Sequence, residues 1–179
     1  MSWFKKATSF QGSPSLEGLQ FYQPEQIGEF EGIYQSPDFP NVFLGGKEDL
    51  QRVKEMNNSP ICRIIDVSRY LPEFPNWTQQ LYDKYRITMM SIINNVASTI
   101  QNTRCPIFVH CEMGANRSVS VLAAAIAKLT GRSVMDILRE IKSQRGIAAP
   151  HDVYLHMISQ NFEPDEKIRE KVKQQLEVA

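Results

Sequence analysis

In VHCEMGANRS, residues 109 to 118, a cysteine stands between a histidine and an acidic residue; a glycine follows it by three places and an arginine by six. The nearly all-apolar run CPIFVH (105 to 110) stops there and a helix-forming run starts. A loop that closes onto a helix N-terminus aims unpaired backbone N–H groups at one point, and the helix dipole adds partial positive charge there. That point is an anion site. Gly114 lets the loop curl through backbone angles closed to other residues, and Arg117 supplies a planar fork for two oxygens of a phosphate. The backbone of Glu112, Met113, Gly114, Ala115, Asn116 and Arg117 is expected to wrap that phosphate. The same field favours a thiolate, so Cys111 is expected to ionise well below the free-thiol value of about 8.5 and act as a nucleophile. Ser118 is placed to donate a hydrogen bond to the sulfur and help it leave in a later step. His110 is expected to fix the loop through its ring nitrogens.

The elements that must position this loop follow from periodicity. GIYQSPDFPNVFLGG reads as two short strands around a proline-containing turn, and KEDLQRVKEMN puts Leu50, Val53 and Met56 on one helical face. CRIIDVS (62 to 68) reads as a buried strand, 70 to 82 as a loop marked by two prolines and Trp77, and YRITMM (85 to 90) as a further strand. Ile92, Ile93, Val96 and Ile100 keep helical spacing, and CPIFVH suits a parallel strand covered on both faces. Three helices follow: SVSVLAAAIAKLTG, ended by a glycine; SVMDILREIKSQ, with the capping spacing Ser133 to Asp136; and PHDVYLHMISQ behind Pro150. Residues 1 to 28 read as an extension, 29 to 160 as the domain, and 161 to 179 as a charged, solvated helix. The basic residues Arg132, Arg139, Lys142 and Arg145 fall mostly on the later helices and read as solvated charges rather than a substrate patch.

The chain has 179 residues, with 20 Lys plus Arg balancing 20 Asp plus Glu, so no overall field draws it to nucleic acid or anionic membrane. No apolar run approaches the roughly 20 residues of a membrane span, and the N-terminus lacks a secretory h-region. A cytoplasmic location, with the nucleus as the alternative, and a monomeric state are the expectations. The three cysteines are an odd number, which fits free thiols; Cys62 and Cys105 read as packing residues. If 105 to 110 is extended, Cys105 lies about 17–20 Å from Cys111, and a disulfide needs Cα atoms within about 7 Å, so these two are not expected to pair. Cys62 is expected near Cys105, at the start of a parallel neighbour. His151 and His156 have no third ligand in view and read as helix-face residues, with no metal or other cofactor expected.

HCEMGANRS resembles the HCx5RS signature of the cysteine-dependent dual-specificity protein phosphatases, and the resemblance extends over roughly 29 to 160. NVFLGG is similar to that family's first core strand, IIDVS to the strand beneath its active site, and RGIAAPHDVYLHMI to the stretch leading into its last helix. The resemblance implies an α/β fold, a central, mostly parallel sheet of about four or five strands flanked by helices. It also implies that Cys111 attacks phosphorus, that Arg117 and the loop amides stabilise the equatorial oxygens, and that water hydrolyses a cysteinyl-phosphate.

The family's acid, an aspartate in the loop after the strand that YRITMM resembles, has no counterpart. No Asp or Glu occurs between Lys84 and Cys111, and Ser91 falls about where the acid belongs. General acid catalysis contributes roughly 10² to 10⁴ in rate. Asp83, Glu112, or slow turnover of substrates with good leaving groups such as phosphotyrosine are the alternatives, the last favoured. Because EMGAN carries no basic residue, a phosphoprotein is a better substrate than an inositol lipid or RNA end. A phosphatase-like module that binds phosphorylated partners with little turnover, and a rhodanese-like phosphatase fold, are the competing readings.

Overall fold

The computed structural model describes residue 27 and residues 31–56, 61–73 and 76–162. The N-terminal extension except Ile27, and the charged C-terminal tail beyond Phe162, lie outside the described residues. Four strands form one sheet in the order β1-β2-β4-β3: β1 Tyr34–Gln35, β2 Val42–Gly45, β3 Arg63–Asp66 and β4 Ile107–His110. β1 runs antiparallel to β2, whereas β2, β4 and β3 are parallel. Among the described residues five helices flank them: α1 Lys47–Lys54, α2 Gln79–Asn102, α3 Arg117–Thr130, α4 Val134–Gln144 and α5 Asp152–Phe162. The expected α/β architecture is therefore present, as a mixed four-stranded sheet.

The parallel strands are in step: Gly45 pairs with His110 and Asp66 with His110, so all three end at one level. In an open α/β sheet the crevice beyond these carboxyl ends is where ligands bind. α3 is buried from Arg117 to Ala127, because the alanines of VLAAAIA let it lie close against the sheet on one side and α2, α4 and α5 on the other. It ends as its sequence requires, at Gly131 with φ +75°.

Two elements differ from the sequence reading. YRITMM is not a strand; it lies inside the 24-residue helix α2. Thr78, whose hydroxyl accepts the Leu81 amide at 3.2 Å, starts that helix. The buried positions Tyr82, Met89, Ile92, Ile93, Val96 and Ile100 keep helical spacing throughout, while Ile87 is 68% exposed. With that strand absent, β3 is the sheet's edge among the described residues, and Arg63 and Ile64 are exposed where a buried strand was expected.

Cys62 and Cys105 are not separate packing thiols. They precede the adjacent parallel strands β3 and β4, their Cα atoms are 6.0 Å apart, and they form a disulfide. The expected proximity was right and the free-thiol reading was not, because parallel pairing puts both strand starts side by side at a partly exposed edge. Cys111 is the free cysteine, buried at the other end of β4.

Candidate active site

β4 delivers His110 and Cys111 to the carboxyl edge of the sheet, and α3 begins at Arg117. The six intervening carbonyls are all occupied. The Cys111 carbonyl is 3.0 Å from His110 Nδ1, which makes that nitrogen the protonated one. The Glu112 carbonyl accepts the Lys47 amide at 2.9 Å, and those of Met113 and Gly114 accept Arg145 Nη2 and Nε at 2.7 and 2.8 Å. Ala115 accepts the Ala149 amide at 2.7 Å, and Asn116 accepts the Ser120 amide at 3.0 Å. Carbonyl and following N–H point opposite ways across a trans peptide, and every described peptide is trans. Turning carbonyls toward the partners packed around the loop therefore turns the succeeding amides toward its centre.

Gly114, with φ +67°, is where the loop turns, and a Cβ there would stand 2.3 Å from the Gly45 carbonyl oxygen. Gly46 faces the same constraint from the opposite strand, since its Cβ would meet the Met113 oxygen at 2.7 Å. The GG pair that ends NVFLGG thus admits the loop against β2.

Cys111 Sγ lies 3.1 Å from Ser118 Oγ. Burial pushes the thiol up, but the Ser118 hydroxyl, the Ser118 and Gly114 amides and the Arg117 charge outweigh it, so Cys111 ionises below its ordinary value. Arg117 is itself buried; its Nη1 donates to the Leu71 carbonyl at 2.9 Å and its Nη2 is 3.5 Å from Glu73 Oε2. Its Nε–H is buried with no acceptor among the described residues, as is the Asn116 side-chain amide nitrogen. Both are donors of the kind an oxyanion occupies. Glu112 and Met113 are exposed on the rim and contribute backbone.

Asp83 is on the exposed side of α2's second turn, where it accepts Gln79 Nε2 at 3.0 Å, and Ser91 is an exposed residue of the same helix. Neither occupies a loop, because there is no loop there. His151 Nδ1 accepts the Val153 amide at 3.2 Å at the start of α5, and His156 Nδ1 bonds the Tyr82 hydroxyl. Arg139 pairs with Asp136 and Lys142 donates to the Gly146 carbonyl, both on the surface of α4 as read, whereas Arg132 lies between α3 and α4 and bridges Asp38 and Glu140.

Arg145 is not a solvated charge. It is 4% exposed, just past the end of α4, and it donates to Gly32, Met113 and Gly114 while Nη2 lies 2.9 Å from Asp49 Oδ2. Burial raises Asp49, yet the Gly46 amide, Arg52 and Arg145 hold it below the usual carboxylate range. Sequence reasoning missed this brace and also missed Glu73. The available signals were the arginine placed beyond its helix's last turn and an acid between two prolines in the loop before α2.

A family model described as "Dual specificity phosphatase, catalytic domain" matches residues 42–163. Among curated proteins, human protein phosphatase Slingshot homolog 3 is 24% identical over 128 residues, covering 67% of this chain and 19% of that protein. Protein phosphatase Slingshot of Drosophila melanogaster is 22% identical over the same length, covering 67% and 12%. The chain thus spans about a fifth or less of the curated relatives it matches. Among solved structures, DUSP15 has a TM-score of 0.57 at 19% identity, covering 80% of this chain and 96% of that one. A leucine rich repeat and phosphatase domain protein from Entamoeba histolytica has 0.56 at 16%, covering 78% and 94%. At these identities the structures attest the fold, and the family model, spanning most of the described residues, attests descent: the chain belongs to the dual-specificity phosphatase catalytic-domain family.

Proposed function

We propose that the chain is a cysteine-dependent phosphatase acting on phosphoproteins, with phosphotyrosine favoured and phosphoserine and phosphothreonine as slower substrates. The observation that carries this reading is the loop whose carbonyls are held toward its surroundings around a buried cysteine and arginine. In that cradle the Cys111 thiolate attacks phosphorus as the P–O bond to the substrate breaks. Arg117 and the inward amides hold the equatorial oxygens, where charge gathers in the transition state. Ser118 then stabilises the departing thiolate when water hydrolyses the cysteinyl-phosphate. No step calls on a cofactor.

The surroundings favour a protein substrate over a polyanion. Glu112 lines a cavity of about 500 Å³ beside the loop together with Glu31 and Glu48. Asp49 and Arg145, which pair with each other, also line it, and the three remaining carboxylates disfavour inositol phosphates and RNA ends and tolerate a peptide carrying a single phosphate. Among the described residues no helix is long and apolar enough to cross a membrane.

Hydrolysis of p-nitrophenyl phosphate, whose leaving group needs no proton, tests the reading directly. Wild type is expected to turn it over, to be inhibited competitively by vanadate, and to lose on the order of 10⁵-fold in kcat on Cys111→Ser. Tight phosphopeptide binding with no turnover in wild type would instead identify a capture module.

A further inference from the structure

The site described above has a nucleophile and an anion cradle but no acid in the segment where the sequence led one to look for it. The described residues offer one carboxylate beside the guanidinium. Glu73 Oε2 stands 3.5 Å from Arg117 Nη2, in the loop that leaves β3 through the 3-10 turn Val67–Arg69 and enters α2. That loop lies against the catalytic loop through fixed points. Leu71 is 2% exposed and its carbonyl accepts Arg117 Nη1; the Tyr154 hydroxyl donates to the Pro72 carbonyl. Trp77, 5% exposed, packs edge-on against Tyr154 at 5.5 Å and Tyr85 at 6.1 Å. Glu73 is thus the next residue after two whose carbonyls are anchored to α3 and α5. Its own side chain, 30% exposed, faces both Arg117 and solvent. The Tyr154 phenol, raised first by burial, also feels the charges of Arg117, Glu73 and Cys111.

We infer that Glu73 is the general acid of this phosphatase. The inference rests on the reaction proposed above. The role requires Glu73 to carry its proton at the moment of attack. As the S–P bond forms and the P–O bond breaks, the departing oxygen takes the Glu73 proton and leaves as an alcohol. Glu73, now a carboxylate, then accepts a proton from the water that attacks the cysteinyl-phosphate, releasing phosphate and the Cys111 thiolate. Protons and electrons balance over the cycle, with no other reactant than water.

Proton donation matters in proportion to how poor the leaving group is. Glu73→Gln is expected to lower kcat about 10² to 10⁴-fold on a phosphoserine peptide and at most several-fold on p-nitrophenyl phosphate. Across a series of aryl phosphates, log kcat is expected to fall more steeply with leaving-group basicity than in wild type. Glu73→Asp, which keeps an acid on a shorter arm, is expected to recover part of the phosphoserine rate. An equal loss on both substrates, or no loss on either, overturns the assignment. So does a lower KM with unchanged kcat, which would make Glu73 a latch that merely occupies Arg117. If wild type itself is inert on p-nitrophenyl phosphate, the phosphatase reading falls and the acid with it. An active wild type with a leaving-group-independent Glu73→Gln overturns Glu73 alone.

Discussion

The loop after β4 and the loop after β3 leave neighbouring parallel strands at the same edge of the sheet, and among the described residues their backbones are held in different ways. In the first, six consecutive carbonyls from Cys111 to Asn116 are each tied to a partner. In the second, the carbonyls of Leu71 and Pro72 are tied, and the following Glu73 carries its carboxylate on a part-exposed side chain. The contrast suits two tasks. A cradle for a tetrahedral dianion must hold several amides in one geometry before the ligand arrives. An acid must reach oxygens on different leaving groups, so a short anchored stem with a part-exposed side chain serves it better than a rigid ring.

The contrast breaks if the two loops respond alike to losing one anchor. Arg145→Met removes both donors to the Met113 and Gly114 carbonyls and leaves Asp49 without its buried partner. A loss of about 100-fold in kcat on every substrate is expected, since misplacing the reacting geometry by about 1 Å costs that much. A stability loss of about 3 kcal/mol is expected beside it in denaturant titration. Tyr154→Phe removes one donor to the Pro72 carbonyl at a cost of about 1 kcal/mol. Its activity loss, several-fold on phosphoserine peptides and smaller on p-nitrophenyl phosphate, is expected to be selective where that of Arg145→Met is uniform. Kinetics on the two substrates side by side read the difference.

The smallest effect on turnover is expected from the Cys62–Cys105 disulfide, which closes a segment of sequence separation 43 containing the acid loop and α2. It sits at the amino ends of β3 and β4, while both working loops leave the carboxyl ends. Cys62→Ser with Cys105→Ser is expected to remove about 2–4 kcal/mol of stability, seen as a melting temperature lower by about 5–15 °C. kcat should stay within a few-fold. A large activity loss in a folded double variant would show that the acid loop depends on the distant staple.

How legible each loop was follows from the same contrast. The residues from His110 to Ser118 carry their chemistry in adjacent positions, each type constrained by what a phosphate cradle requires, so the sequence displays the whole cradle. Its bracing was half visible. Gly46 stood in a motif read as a strand end, but Arg145 looked like one more helix charge, because periodicity does not reveal that α4 stops at Gln144 and releases the next side chain inward. The acid was hidden by an error of element type. Tyr85, Ile87 and Met89 mimic alternation, and reading them as a strand moved the search for a carboxylate past Lys84. Glu73 had already gone by, in a proline-flanked loop without period, and only its tertiary neighbour Arg117 distinguishes it from an ordinary surface glutamate.

The long helix that absorbed YRITMM has an effect on the far flank of the sheet. β3, four residues long, turns one side of its backbone away from β4, with Ile64 43% exposed and Tyr70 56% exposed just beyond it. A strand so placed offers hydrogen-bond donors and acceptors to any extended peptide, including another copy of itself. Its brevity, the exposed Arg63 and the 3-10 turn that ends it at Asp66 limit how far such a ladder could grow, so the chain guards with charge and shortness a boundary that a fifth strand would otherwise have covered.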